Sequence, residues 1–221
     1  MRTSFGVAVI TVVVAAAGTF TNPVLGGDGI YATLSAGGAI SHEMSNDGPL
    51  LNFDTELDSG YAFAGSVGYR WDEGWRLEVE AGFTEFDIGD IVVTNAGGTN
   101  ASTGTQAGTG VVNIESVTAN MIIELSGSAD WRPYLLGGAG MATVDQANVG
   151  TSGAELVNDV TTAFVYQMGV GLDYRIHPGW WLGGAYRFMG TGDINMEDAG
   201  GQSFETQLMA HYFNLRGTVD F

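Results

Sequence analysis

Phe213-Asn214-Leu215-Arg216-Gly217-Thr218-Val219-Asp220-Phe221 decides how this chain is read. Phe213, Leu215, Val219 and Phe221 fall on one face and Asn214, Arg216, Thr218 and Asp220 on the other. A period of two is the mark of a β-strand between an apolar and a polar environment. In water so apolar a strand at the edge of a sheet invites pairing with other chains. What surrounds the sheet is answered by the rest of the sequence.

Seven further segments alternate in the same way, which makes eight strands. Gly29 to Ile40 sets Ile30, Ala32, Leu34 and Ala36 against Tyr31, Thr33 and Ser35. Gly60 to Trp71 gathers Tyr61, Phe63, Val67, Tyr69 and Trp71 opposite small residues and Arg70. Trp75 to Phe86 opposes Trp75, Leu77, Val79, Ala81 and Phe83 to Arg76, Glu78, Glu80, Gly82 and Thr84. Val117 to Leu125 opposes Val117, Ala119, Met121, Ile123 and Leu125 to Thr118, Asn120 and Glu124. Trp131 to Thr143 is glycine-rich, and its facing is left open. Thr162 to Ile176 carries Phe164, Tyr166, Met168, Val170, Leu172, Tyr174 and Ile176 against Gln167, Asp173 and Arg175. Trp180 to Met189 carries Trp180, Leu182, Tyr186 and Phe188 against Arg187.

The connections alternate in length. Asp72 to Gly74, Ser126 to Asp130 and His177 to Gly179 are short, with the turn residues such links need. Ser41 to Asp58, Ile88 to Val112, Asp145 to Asp159 and Gly190 to Glu205 are long, and within them Asn95 to Gly110 has the composition of a mobile loop crown. Short and long links alternating along an even set of strands is the layout of a transmembrane barrel with tight periplasmic turns and longer extracellular loops. Large aromatics on one face, with arginines and carboxylates on the other, assign lipid to the outside and a polar lumen to the inside. Trp71, Trp75, Trp131, Trp180 and Trp181 all lie beside short turns, where an interfacial aromatic belt belongs.

Composition narrows the function classes. Arg2, the apolar run Phe5 to Ala17 and Ala15-Ala16-Ala17 read as an export signal, expected over residues 1–26 with cleavage between about residues 17 and 27. Residues 27–221 are then the barrel domain. The run is too short to cross a bilayer as a helix. There is no cysteine, so disulfides, thiolate metal sites and lipoprotein modification are excluded. There is also no lysine, and the net charge is −18. Beyond Arg2 every cation lies in or at the end of an alternating segment, which leaves no basic surface for a phosphate backbone; nucleic acid is excluded as a partner.

Several stretches resemble the outer-membrane β-barrel domain family, that of OmpA-type barrels and of the small OmpX and Opa-like surface proteins. They are Gly68-Tyr69-Arg70-Trp71, Arg76-Leu77-Glu78-Val79-Glu80, Arg132-Pro133-Tyr134-Leu135-Leu136-Gly137-Gly138-Ala139-Gly140, Gly169-Val170-Gly171-Leu172-Asp173-Tyr174-Arg175, Tyr186-Arg187-Phe188 and Phe221. The resemblance implies an all-β, eight-stranded antiparallel up-and-down transmembrane β-barrel in the outer membrane of a Gram-negative cell. Its partners would be outer-membrane lipids, the barrel-assembly machinery through Phe221, and a host or environmental ligand at the loops. It implies a structural or surface role, with a narrow porin-like channel second and a lipid-modifying enzyme third, because the fold alone hosts all three.

The chemistry-bearing residues are weighed against that frame. Glu78 and Glu80 point the same way, with Arg70 and Arg76 across the turn; a glycosidase pair has that composition. A charge network filling the lumen explains them better, since an eight-stranded barrel is just wide enough for packed side chains. Glu124, Asp173, Arg175, Arg187 and Arg216 are expected to extend it. His42, His177 and His211 lack metal-ligand spacing, and Ser41-His42-Glu43 holds hydrolase residue types without a matching partner motif. Asp54 to Asp58 and Asp193 to Asp198 alternate oxygen side chains but fail the EF-hand pattern, so weak divalent-cation binding at acidic loops is the most they offer. No catalytic, cofactor or metal residue is assigned, and the chain is expected not to be an enzyme.

Overall fold

Strands that each keep one apolar face must put all those faces on the same side of a closed wall, and the computed structural model shows that wall. It describes residues 28–41, 44–47, 51–96, 103–151, 154–192, 194–197 and 203–221; the expected export signal lies outside them. The strands are β1 (Gly29–Ser41), β2 (Met44–Asp47), β3 (Leu51–Leu57), β4 (Gly60–Trp71), β5 (Trp75–Ala96), β6 (Gly104–Glu124), β7 (Trp131–Thr151), β8 (Ala154–His177), β9 (Trp180–Thr191), β10 (Ile194–Glu197), β11 (Ser203–Thr206) and β12 (Met209–Asp220). No helix is present among the described residues.

Eight of these form a ring in the order β1, β4, β5, β6, β7, β8, β9, β12, with β12 pairing back onto β1 and every pair antiparallel. Closure supplies each strand with a hydrogen-bonding neighbour on both sides, the condition a sheet must meet to cross hydrocarbon. Two tight turns need a backbone that L-residues avoid, and glycine occupies both positions: Gly74 at φ 86° and Gly179 at φ 76°.

Ile30, Leu34, Phe63, Leu77, Val79, Met121, Leu135, Phe164, Met168, Val170, Leu182, Phe213 and Leu215 are exposed on the outside of the ring. Leu215 reaches 71% exposure, untenable for so many neighbours together in water. On β5 the apolar band runs from Trp75 to Phe83, with Glu85 and Asp87 beyond it. A tilted strand crosses a hydrocarbon core in about 9–11 residues, and this band matches that length. The glycine-rich strand left open by the sequence is resolved: Trp131, Leu135 and Met141 face out, while Tyr134, Leu136 and Ala142 face in.

The structure corrects the sequence reading of the long connections. β5, β6, β7 and β8 continue well past the lipid band, and the links expected as loops are largely strands. β2 and β3 occupy the first link, and β10 and β11 the last. β3 pairs with the far end of β5, β2 with β3 and β11, and β10 with β11. The wall of the barrel thus continues beyond the ring. Of the expected loop crown, Gly104 to Gly110 belongs to β6 and Asn95 and Ala96 to β5, while residues 97–102 lie outside the described residues.

The lumen is also not polar throughout. Its half nearest the short turns is polar, but toward the hairpin end Phe86, Ile88, Ile91, Val112, Ile114, Val144, Val165, Met189, Leu208 and Tyr212 pack into one buried apolar cluster. Trp71, Trp75, Trp131 and Trp180 are exposed at the short-turn end as a belt requires, whereas Trp181 is buried and points into the lumen. Adjacent residues on a strand face opposite ways, so Trp180 and Trp181 could not both join the belt.

Val79, 60% exposed near the middle of the band, gives a direct check of what covers the outer face. Val79→Arg should destabilise the protein by about 2–4 kcal/mol, the cost of a guanidinium at the bilayer midplane. Denaturant unfolding from lipid vesicles measures this; an unchanged midpoint would mean that water, not lipid, meets this face.

The luminal charge network as candidate functional site

Inward-facing positions on seven ring strands bring charge into one column. Nearest the short turns, the Asp220 carboxylate accepts from Arg70 (3.0 Å), Arg132 (3.1 Å) and Trp181 Nε1 (3.0 Å), all on the same oxygen. The Arg132 guanidinium also lies over the Trp181 ring at 3.4 Å, so planar cation and indole close the mouth together. Next come Arg76, Glu124 and Asp173, with Arg76 to Glu124 at 2.8 Å and to Asp173 at 3.4 Å.

Above these, Glu78 accepts from Tyr31 Oη (2.9 Å), Ser66 Oγ (3.1 Å) and Asn120 Nδ2 (3.2 Å), and Arg216 stands 3.9 Å away. Arg216 donates to Tyr134 Oη, and both Arg76 and Arg216 lie over the Tyr134 ring. Tyr31 and Tyr134 fit because each leans over a glycine directly opposite on the neighbouring strand. Tyr31 covers Gly68 and Tyr134 covers Gly171, where any Cβ would collide with the ring. The uppermost layer pairs Glu80 with Arg187 at 2.5 Å, and Gln167 Nε2 reaches Asn120 Oδ1 (2.7 Å), Thr118 (3.0 Å) and Glu80 (3.5 Å). With its amide oxygen assigned toward Arg187, Asn214 accepts from Nη2 (3.0 Å) and Nε (3.3 Å).

Arg70, Arg76, Arg132, Arg187 and Arg216 therefore face Glu78, Glu80, Glu124, Asp173 and Asp220 in equal number. The column is formally neutral, and the whole net charge of −18 sits outside it. Charges this confined are held by hydrogen bonds and pairing rather than by water. Arg76, Glu78 and Asp173 are all almost fully buried.

Two expectations need correcting. Arg70 and Arg76 do not pair with Glu78 and Glu80 across their turn; Arg70 reaches Asp220 and Arg76 reaches Asp173 and Glu124, because inward side chains meet across the lumen as readily as along a hairpin. Arg175 does not extend the column. It lies at the mouth, partly exposed, bound to Asp130 of the neighbouring turn at 2.8 Å. Glu78 and Glu80 are both engaged by luminal side chains, Glu78 by Tyr31, Ser66 and Asn120 and Glu80 Oε1 by Arg187 and Gln167. Tyr31, Asn120, Arg132, Tyr134, Gln167, Trp181, Asn214 and Asp220 were not singled out from sequence as network members. Their inward parity is the signal that could have found them.

The other candidates are dispersed. His42 and Glu43 lie outside the described residues. His177 is in its turn, with Nδ1 3.2 Å from the Pro178 carbonyl. His211 lies on the outer face, its Nδ1 2.7 Å from Tyr186 Oη among Phe188 and Phe213. Asp54, Thr55 and Glu56 run along β3, with Thr55 buried and Glu56 exposed, so they do not wrap a common point. Among the described residues no group of three or more His, Asp or Glu could hold a metal ion.

A closed antiparallel ring with apolar outside and filled lumen defines a transmembrane β-barrel of the outer-membrane class. The family model for the outer membrane protein beta-barrel domain matches residues 5–212, and the chain belongs to that family. It is an outer-membrane protein. No curated protein sequence matches it. Among solved structures it is similar to Neisserial surface protein A (17% identity, TM-score 0.52, covering 88% of this chain and 99% of that one) and to OprG of Pseudomonas aeruginosa (13%, 0.52, 89% and 97%). The outer membrane protease OmpT of Escherichia coli is more distant at 9% identity and a TM-score of 0.47. At these identities the likeness is one of fold alone.

The network makes a quantitative demand. Glu80→Gln removes the charge partner of a buried arginine and should cost about 3–5 kcal/mol, whereas Asp87→Asn, exposed beyond the lipid band, should change stability by less than about 0.5 kcal/mol. Urea titration of both variants in vesicles decides it, and equal midpoints would show that Glu80 is solvated.

Proposed function

We propose that this protein is a sealed barrel whose role is carried by its projecting sheet: a structural or surface-exposed component of the outer membrane, of the adhesin or antigen kind. The observation that carries this reading is the double filling of the lumen. A neutral column of buried charged side chains occupies one half and the apolar cluster the other, so a hydrated solute meets first a lumen filled by ion-paired side chains and then an apolar core. A narrow diffusion channel needs a continuous aqueous path, which this packing opposes.

Short turns facing the periplasm and the long β5–β8 extension facing outward is the orientation usual for such barrels. It presents Glu56, Asp58, Asp87 and Asp90 to the exterior, an acidic surface suited to cationic partners or to weakly held divalent ions. Outer-membrane lipids cover the band, and Phe221 is the residue through which the assembly machinery would recognise the chain.

Two measurements test this. Cysteines at Asp58 and Asp87 should react with an impermeant reagent on intact cells while one at Glu73 does not; equal labelling of all three would overturn the orientation. Protein refolded into planar bilayers should pass no stable current. Large steady currents through the unmodified protein would make the charged column a pore lining and the channel the better reading.

A further inference from the structure

The ring has one pair of strands that no hairpin joins. β4 with β5, β6 with β7 and β8 with β9 are linked by short turns, β5 with β6 and β7 with β8 follow one another in the chain, and β2 and β3 lie between β1 and β4 in sequence as β10 and β11 lie between β9 and β12. Only β1 and β12, the first and last strands, meet without a connection. Turn geometry sets the register of a hairpin; here it cannot.

Hydrophobic alternation does only part of the task. A slip of one residue would turn every lipid-facing side chain inward and is strongly opposed. A slip of two restores the facing of every residue, and alternation is blind to it. The β1 side of the seam is poor in interlocking side chains, because Ala36-Gly37-Gly38-Ala39 lies opposite Leu215 to Tyr212. Glycine-rich strands specify register weakly.

We propose that Asp220 sets the register of this seam. Its carboxylate is the shared acceptor for Arg70 on β4, Arg132 on β7 and Trp181 on β9, so one residue of β12 is referred to three other strands of the ring. A two-residue slip at this seam moves that carboxylate about 7 Å along β1 and so out of reach of Arg70, which β4 holds in register with β1, while Trp181, on the strand paired directly with β12, moves with it. Thr218 adds a weaker check through its hydroxyl contact with Thr33 at 2.9 Å. The charges at the short-turn mouth thus read the one degree of freedom that the apolar pattern leaves open.

The absence of native cysteine makes the seam readable by disulfide trapping. Ala36 faces Leu215 in the observed register. It would face Gly217 after a slip of two in one direction and Phe213 after a slip in the other. Diagonal neighbours lie about 7–8 Å apart, beyond easy disulfide reach. With Asp220 intact, A36C/L215C should cross-link and A36C/G217C and A36C/F213C should not, after refolding into vesicles. In Asp220→Ala the slipped pairs should rise several-fold at the expense of the native pair, with Asp220→Asn intermediate. Glu80→Gln, which breaks the network away from the seam, should keep the native pattern. Native pairing alone in both Asp220 variants would overturn the proposal. So would equal scrambling by Glu80→Gln, which would make register a property of the whole network. If neither Asp220 variant forms any of the three pairs, Asp220 is needed for closure itself and does not select register.

Discussion

A backbone amide or carbonyl in hydrocarbon must find its partner within the protein, and the rest of this structure follows from that demand. Strands satisfy it only if the sheet has no free edge, so the wall closes on itself through β1 and β12. Eight strands close around a lumen only wide enough for side chains. What fills the lumen is therefore a packing problem before it is a question of transport, and the tyrosine-over-glycine pairs at Gly68 and Gly171 show how tightly it is solved.

Along single strands the environment inverts while the geometry does not. On β5 the outward residues Trp75, Leu77, Val79 and Phe83 meet lipid and the inward Arg76, Glu78 and Glu80 form the network. A few residues further, outward Glu85 and Asp87 meet water, and inward Phe86 and Ile88 are buried. β6 shows the same reversal between outward Val117 and outward Glu115, with Ile114 and Val112 inside. Outside the membrane the wall is an ordinary soluble sheet, so its inner face must be apolar. The polar half and the apolar half of the lumen are thus set by what lies on the other side of the wall.

This reversal explains what could be read in the sequence and what could not. The eight ring strands, the facing of all but the glycine-rich one from Trp131 to Thr143, and the three tight turns were legible, because lipid on one side makes the alternation strong from Gly60 to Trp71 and from Trp180 to Met189. The strand ends were not. At Phe86 and Val117 the apolar residues change faces, and a reading that follows one apolar face stops there and calls the remainder a loop. β2, β10 and β11 have four residues each and β3 seven, too few to carry a decisive alternation, and the pairing of β3 with β5 and of β2 with β11 joins segments distant in sequence. The charge network was legible as a set of inward residues but not as a set of partners. Period two says which residues enter the lumen; only closure says that Arg70 meets Asp220 and Arg187 meets Glu80.

The use of arginine throughout, in a chain with no lysine, follows from the same confinement. A lumen of fixed width leaves little room to hydrate an ammonium, which is compact and strongly hydrated, whereas a guanidinium is flat, less hydrated and always charged. Flatness allows two contacts at once. Arg132 donates to Asp220 while lying on Trp181, and Arg216 donates to Tyr134 while also lying over its ring. A lysine could supply the charge at either position but not the stacked face. The spaces between aromatic side chains would then be left to water or to voids, and the column would lose the continuity that closes the barrel.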